Sequence, residues 1–124
     1  MLIYIAGPYS ARAKKEMKQN IRKAEEVAAE VLMLGMLPII PHKITSFFPE
    51  RFQELRGWEH KDWIQRFCLP LLERCDAVVM ADGWEDSEGA RLEFAHAKEK
   101  KIIVFESIEQ LKKNCYITVE PPAD

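Results

Sequence analysis

Apolar positions along this chain fall into short uninterrupted runs separated by longer periodic stretches. Leu2-Ile-Tyr-Ile-Ala6 is such a run, closed by Gly7-Pro8, and it predicts a short buried strand that stops where the chain must turn. From about Ala13 the period lengthens. Met17, Ile21, Ala24, Val27, Ala28, Val31 and Leu32 recur at three- and four-residue steps and mark one face of a long helix, with Gly35 as its left-handed cap. Met36 to Ile40 is a second run, closed by Pro41 and His42, which completes a β-α-β unit. Ile44 to Gly57 has no clear period and reads as an irregular loop. Trp58 to Phe67 predicts a helix that Pro70 kinks or ends, because proline removes a backbone donor and clashes with the preceding turn. Ala77 to Ala81 is a third strand, ended by Asp82-Gly83. Ser87 caps a helix running to about Lys101, followed by a strand at Ile102 to Phe105 and a short helix at Ile108 to Lys113. Tyr116 to Val119 is a candidate fifth strand.

Strands alternating with helices imply a parallel sheet covered on both faces. The expected fold is therefore α/β: a Rossmann-like (flavodoxin-like) three-layer sandwich with a four- to five-stranded parallel sheet. One domain spans residues 1–120, and Pro121-Pro122 opens a short tail over 121–124. A length of 124 residues leaves no room for a second core.

Charge narrows the partners. Eighteen Lys and Arg against 20 Asp and Glu give a formal charge of −2, which offers no general electrostatic case for a nucleic-acid polymer or an anionic membrane. The longest apolar runs are too short to cross a bilayer. Met1 leads into Leu2 without a basic leader region, and Cys68, Cys75 and Cys115 are irregularly spaced, with no metal-ligand pattern. A reduced, cytoplasmic protein with no metal and no cofactor is the expectation.

In an open parallel sheet, ligands settle beyond the carboxyl ends of the strands. Three segments lie there: Gly7-Pro8-Tyr9-Ser10, Pro41-His42-Lys43 and Asp82 to Glu93. The first can present backbone N–H groups to a phosphate or sugar oxygen, although a plain strand-to-helix turn explains it equally well. The third is the densest polar stretch. Ser87 and Gly89 sit where a helix begins, and Glu93 follows about two turns in, beside Ala90 and Ala97, where small neighbours leave room for a ligand. The plain alternative for Glu93 is a surface carboxylate paired with His96 or Lys100. Trp84, within the same loop, is the preferred aromatic for stacking on a base. Packing explains Trp63 better, and Trp58, Phe47 and Phe52 are weaker candidates.

Ile3-Tyr-Ile-Ala-Gly7, Pro41-His42, Arg74-Cys-Asp-Ala-Val-Val-Met80 and Gly83-Trp-Glu-Asp-Ser-Glu-Gly-Ala-Arg-Leu-Glu93 together resemble the nucleoside 2-deoxyribosyltransferase-like superfamily, over about residues 1–105. The resemblance is to a phage and bacterial subgroup with a Gly-Trp-Glu-x-Ser-x-Gly-Ala-Arg-x-Glu motif, and to the 2'-deoxynucleoside 5'-monophosphate N-hydrolases. It implies that Glu93 is a nucleophile attacking the anomeric carbon and that Tyr4 orients it. Ser87, Gly89, Gly7, Pro8 and Tyr9 would cradle phosphate or sugar, and His42 would lie near the base. Ser87 in place of an Asp tilts this expectation toward a 5'-monophosphate and hydrolysis. Arg91, where related enzymes carry a small Gly, is expected to contact a phosphate or brace Glu93. The acid that such enzymes place eight residues before Asp76 is Cys68 here, so Asp82, with Asp62 as the weaker choice, is the expected acid.

The resulting expectation is an N-glycosidase that cleaves the bond between base and (deoxy)ribose by double displacement, without cofactor, from a homodimer or larger homo-oligomer. Two alternatives stay open: base exchange by a deoxyribosyltransferase, and a nucleotide-binding sensor that has lost its acid.

Overall fold

The computed structural model describes residues 1–8, 14–44 and 59–114. Its centre is a four-stranded sheet made of β1 (Leu2–Ala6), β2 (Leu37–Ile39), β3 (Ala77–Met80) and β4 (Ile103–Phe105), in the order β2-β1-β3-β4 and parallel throughout. This is the Rossmann-like α/β arrangement expected. In this order successive strands are added to one side of β1 and then to the other, so the switch point where such sheets open a crevice lies between β1 and β3. The candidate fifth strand at Tyr116 to Val119 and the tail lie outside the described residues, as do Tyr9 and residues 45–58, where most of the irregular segment was expected.

Alternation along the strands sorts the core into two layers. Ile3, Ile5, Ala77 and Val79 point to one face, where α1 (Lys14–Met33) packs through Ala24, Ala28 and Val31. A short C-terminal helix, Ile108–Asn114, completes that layer with Ile108 and Leu111. Tyr4, Ala6, Val78 and Met80 point to the other face. Gly35 takes φ +85°, the left-handed turn that ends α1 and starts β2. At the amino edge of the sheet, Asp76 ties two strands: its Oδ2 accepts from the Leu2 amide at 2.6 Å, and its own amide donates to the Leu2 carbonyl at 2.8 Å.

One local reading is corrected and another is narrowed. Pro41 and His42 do not merely close β2 but begin a short helix, α2 (Pro41–Ile44); proline at a first helical position gives up an N–H that would have no partner there. Of the two outcomes expected at Pro70, a kink or an end, the helix does not end there. The chain runs through α3 (His60–Trp63), a π-helical turn at Ile64–Cys68 and α4 (Leu69–Glu73), with Leu69 N–H donating to the Ile64 carbonyl. Widening the turn just before the proline relieves the clash a regular helix would suffer.

Beyond β3, Gly83 (φ +85°) opens a 3-10 turn over Trp84–Asp86, and α5 (Glu88–Glu99) follows on the Tyr4 face of the sheet. The short helix after β4 is α6 (Ile108–Asn114).

Candidate functional site

Glu93 sits on α5 three residues after Ala90 and four before Ala97, both fully buried. That face of the helix lies on the sheet, so the spacing carries a carboxyl group into the core beside the end of β1. It is only 4% exposed. Alternation on β1 aims Tyr4 at the same face, and the Tyr4 hydroxyl donates to Glu93 Oε2. Burial holds the Tyr4 phenol well above its ordinary range, so the hydroxyl keeps its proton and acts as the donor. Burial also lifts the Glu93 carboxyl to about 8, against the opposing pull of the Tyr4 hydrogen bond. At rest near neutral pH, Glu93 is therefore mostly protonated.

Glu93 forms part of the wall of a cleft of about 290 Å3, near the lower bound of small-ligand sites, about 300 Å3. The rim comes from three directions. Gly7 and Pro8 close the end of β1, His42 comes from α2, and Ser87, Gly89 and Ala90 form the start of α5. A methyl group at Gly7 would sit 2.8 Å from the Ala81 Cβ, so only glycine lets the ends of β1 and β3 lie this close under the cleft. Ser87 is the N-cap: its Oγ accepts from the Ala90 amide at 3.2 Å. Among the described residues, every buried side-chain nitrogen or oxygen has a hydrogen-bond partner.

The structure thus gathers Glu93, Tyr4, Gly7, Pro8, His42, Ser87 and Gly89 at one cleft, Tyr4 from behind Glu93. Other expected residues are elsewhere. Asp82 is exposed and lines a separate hollow with Lys23, Glu26 and Ile108, on the α1 side of the sheet. It follows β3 by two residues, and the Asp82-Gly83 turn leaves it away from Glu93. Asp62, the weaker choice, accepts from the Glu59 amide at 2.8 Å at the start of α3 and does not line the cleft. Trp84 stacks on Phe94, with ring centroids 4.7 Å apart, instead of lining the cleft. Arg91 neither lines the cleft nor braces Glu93: its guanidinium donates to the Glu85 carbonyl at 2.7 Å and holds the 3-10 turn. Tyr9 lies outside the described residues. The plain alternative for Glu93 also fails, because His96 and Lys100 both turn to Glu73, at 3.2 and 3.6 Å.

The cleft also takes in Trp63, read from the sequence as a packing residue, and three residues the sequence did not single out, Ile64, Asp86 and Glu88. Trp63 and Ile64 wall the cleft opposite α5, and His42 tilts against the Trp63 ring at 5.4 Å. The π-helical turn begins at Ile64, directly after Trp63, and its far end sets Cys68 against the Tyr4 hydroxyl, within hydrogen-bonding reach. Cys68 is 1% exposed and does not line the cleft, and burial pushes its thiol far above the ordinary range. It cannot hand a proton to a ligand. Asp86 and Glu88, on either side of Ser87, line the cleft as well; their adjacency to the cap was visible in the sequence. No group of three or more metal-ligating side chains occurs among the described residues.

A family model described as "Domain of unknown function (DUF1937)" matches residues 1–109, nearly the whole chain. No curated protein matches it.

Proposed function

The chain belongs to the DUF1937 family, and we propose that this member is a nucleoside or nucleotide N-glycosidase acting through Glu93. One observation carries the reading: a carboxyl group buried in the wall of a cleft of about 290 Å3, oriented by a tyrosine hydroxyl from the adjacent strand. Burying a carboxyl here costs stability, only part of which its hydrogen bond with the Tyr4 hydroxyl offsets. The sequence resemblance points to the same residue.

In its ionised form, Glu93 attacks the anomeric carbon. The C–N bond breaks, its electron pair leaves with the base, and the base takes up a proton. Water then hydrolyses the glycosyl ester and frees the carboxylate. Tyr4 fixes the carboxylate and offsets part of the charge that burial opposes. Asp82 and Cys68 are not at the cleft, so His42, the imidazole among the described lining residues, is assigned as the donor to the base.

The buried thiol at the acid position favours one competing reading, a protein that binds the nucleoside without cleaving it. Chromatography separates the two. Wild type and Glu93→Gln are incubated with ribo- and deoxyribonucleosides and their 5'-monophosphates. Free base formed only by wild type supports the N-glycosidase, whereas a retained but intact ligand supports the binder. Equal release by Glu93→Gln overturns the role of Glu93. A second free base in the mixture exposes a transferase, which would make a new nucleoside.

A further inference from the structure

Resting on the N-glycosidase reading, we propose that the substrate is a nucleoside whose 5' end is a free hydroxyl, and that Asp86 and Glu88 set this preference. Ser87 is the residue expected to hold a 5'-phosphate, yet its two chain neighbours, both exposed carboxyl side chains, line the same cleft. With Glu93, the cleft presents three acidic side chains. Among the described residues lining it there is no Lys or Arg, and His42 is the only basic side chain.

Arg91, one of the cations expected to answer a phosphate, is also engaged elsewhere, since it donates to the Glu85 carbonyl at 2.7 Å and does not line the cleft. The start of α5 has given part of its capacity for an anion to Ser87, whose Oγ occupies the Ala90 amide. A phosphate dianion in this position meets like charge on both sides of the cap. A 5'-hydroxyl is a donor, and a carboxylate is an acceptor with two oxygens to offer, so the same pair that repels the one binds the other.

The test pairs each common ribo- and deoxyribonucleoside with its own 5'-monophosphate. It measures kcat/KM for base release and, by calorimetry, Kd for wild type and for the Asp86→Asn/Glu88→Gln double variant. Wild type is expected to favour the nucleoside by about tenfold or more, and the double variant to narrow that ratio by about threefold or more. A wild type that favours the monophosphate, or a ratio the double variant leaves unmoved, overturns the proposal. If wild type releases no base from any substrate, the N-glycosidase reading falls, and the calorimetric ratio still decides this one. Tighter binding of the nucleoside supports it; tighter binding of the monophosphate, or binding of neither, overturns it.

Discussion

Glu93 and Tyr4 set the pH behaviour of the molecule. A carboxyl group raised to about 8 in the fold holds a proton that the unfolded chain releases near 4.5. Its neutral form therefore contributes stability that is fully present below about 4.5 and lost as pH rises through about 8. Glu93→Gln cannot ionise, so its stability curve should stay flat where that of wild type falls. Urea unfolding at pH 5 and pH 9 checks this, and parallel curves would mean that Glu93 is not buried neutral. Catalysis needs the other form: the nucleophile must be ionised, so the limb of the pH–rate profile that Glu93 governs should rise with pH toward about 8, while loss of the donor's proton sets the opposing limb. Tyr4→Phe removes the hydrogen bond that lowers the Glu93 value, so the midpoint of the pH–rate profile should move higher and the rate at pH 7 should drop. An unmoved midpoint would show that the hydroxyl does not support the carboxylate.

Helix α5 and the strand ends carry the next level of consequence. Ser87→Ala removes the side chain that accepts from the Ala90 amide and should cost about 1 kcal/mol of stability. Ser87→Asp preserves the acceptor and should cost much less, so denaturant midpoints for the pair separate capping from any role toward a ligand. Gly7→Ala forces a methyl group to 2.8 Å from the Ala81 Cβ and should destabilise by about 1–3 kcal/mol. Adding Ala81→Gly should recover part of that loss; no recovery would place the strain elsewhere. Sequence pattern located these elements well because each is governed by local periodicity. β1 matches its predicted limits, Leu2 to Ala6, and the Gly35 cap takes the expected left-handed turn. The pattern failed where a single residue type has two outcomes. Pro70 can end a helix or be absorbed by a π-helical turn, and only packing against Tyr4 and the cleft distinguishes them. Glu93 was legible because its neighbours are small. The fate of Trp84 was not, since stacking on Phe94 and stacking on a ligand require the same side chain.

At the scale of the whole molecule, the sheet divides two environments that the sequence runs together. Asp82 and Asp86 are four positions apart, yet one lines the hollow beside α1 and the other the cleft beside α5. Asp82→Asn should therefore keep base release within about twofold of wild type, because a carboxylate on the far face of the sheet is outside hydrogen-bond reach of a ligand at Glu93. A hundredfold loss, about 2.7 kcal/mol of transition-state stabilisation, would return it to the mechanism. The parallel strand order follows from β-α-β connections that local pattern reveals, whereas the side of the sheet on which a loop residue emerges depends on a turn such as the one at Gly83. The Tyr4–Glu93 hydrogen bond joins residues 89 positions apart. Closing so long a loop is an entropic burden that the β1–β3 pairing, itself spanning 74 positions from Tyr4 to Val78, already meets, so this bond should form late, once that pairing and α5 have brought Tyr4 and Glu93 together. The near-ultraviolet change that Tyr4→Phe removes from the refolding trace would then mark that late step, and the reactive carboxyl would stay solvated and acidic until that moment.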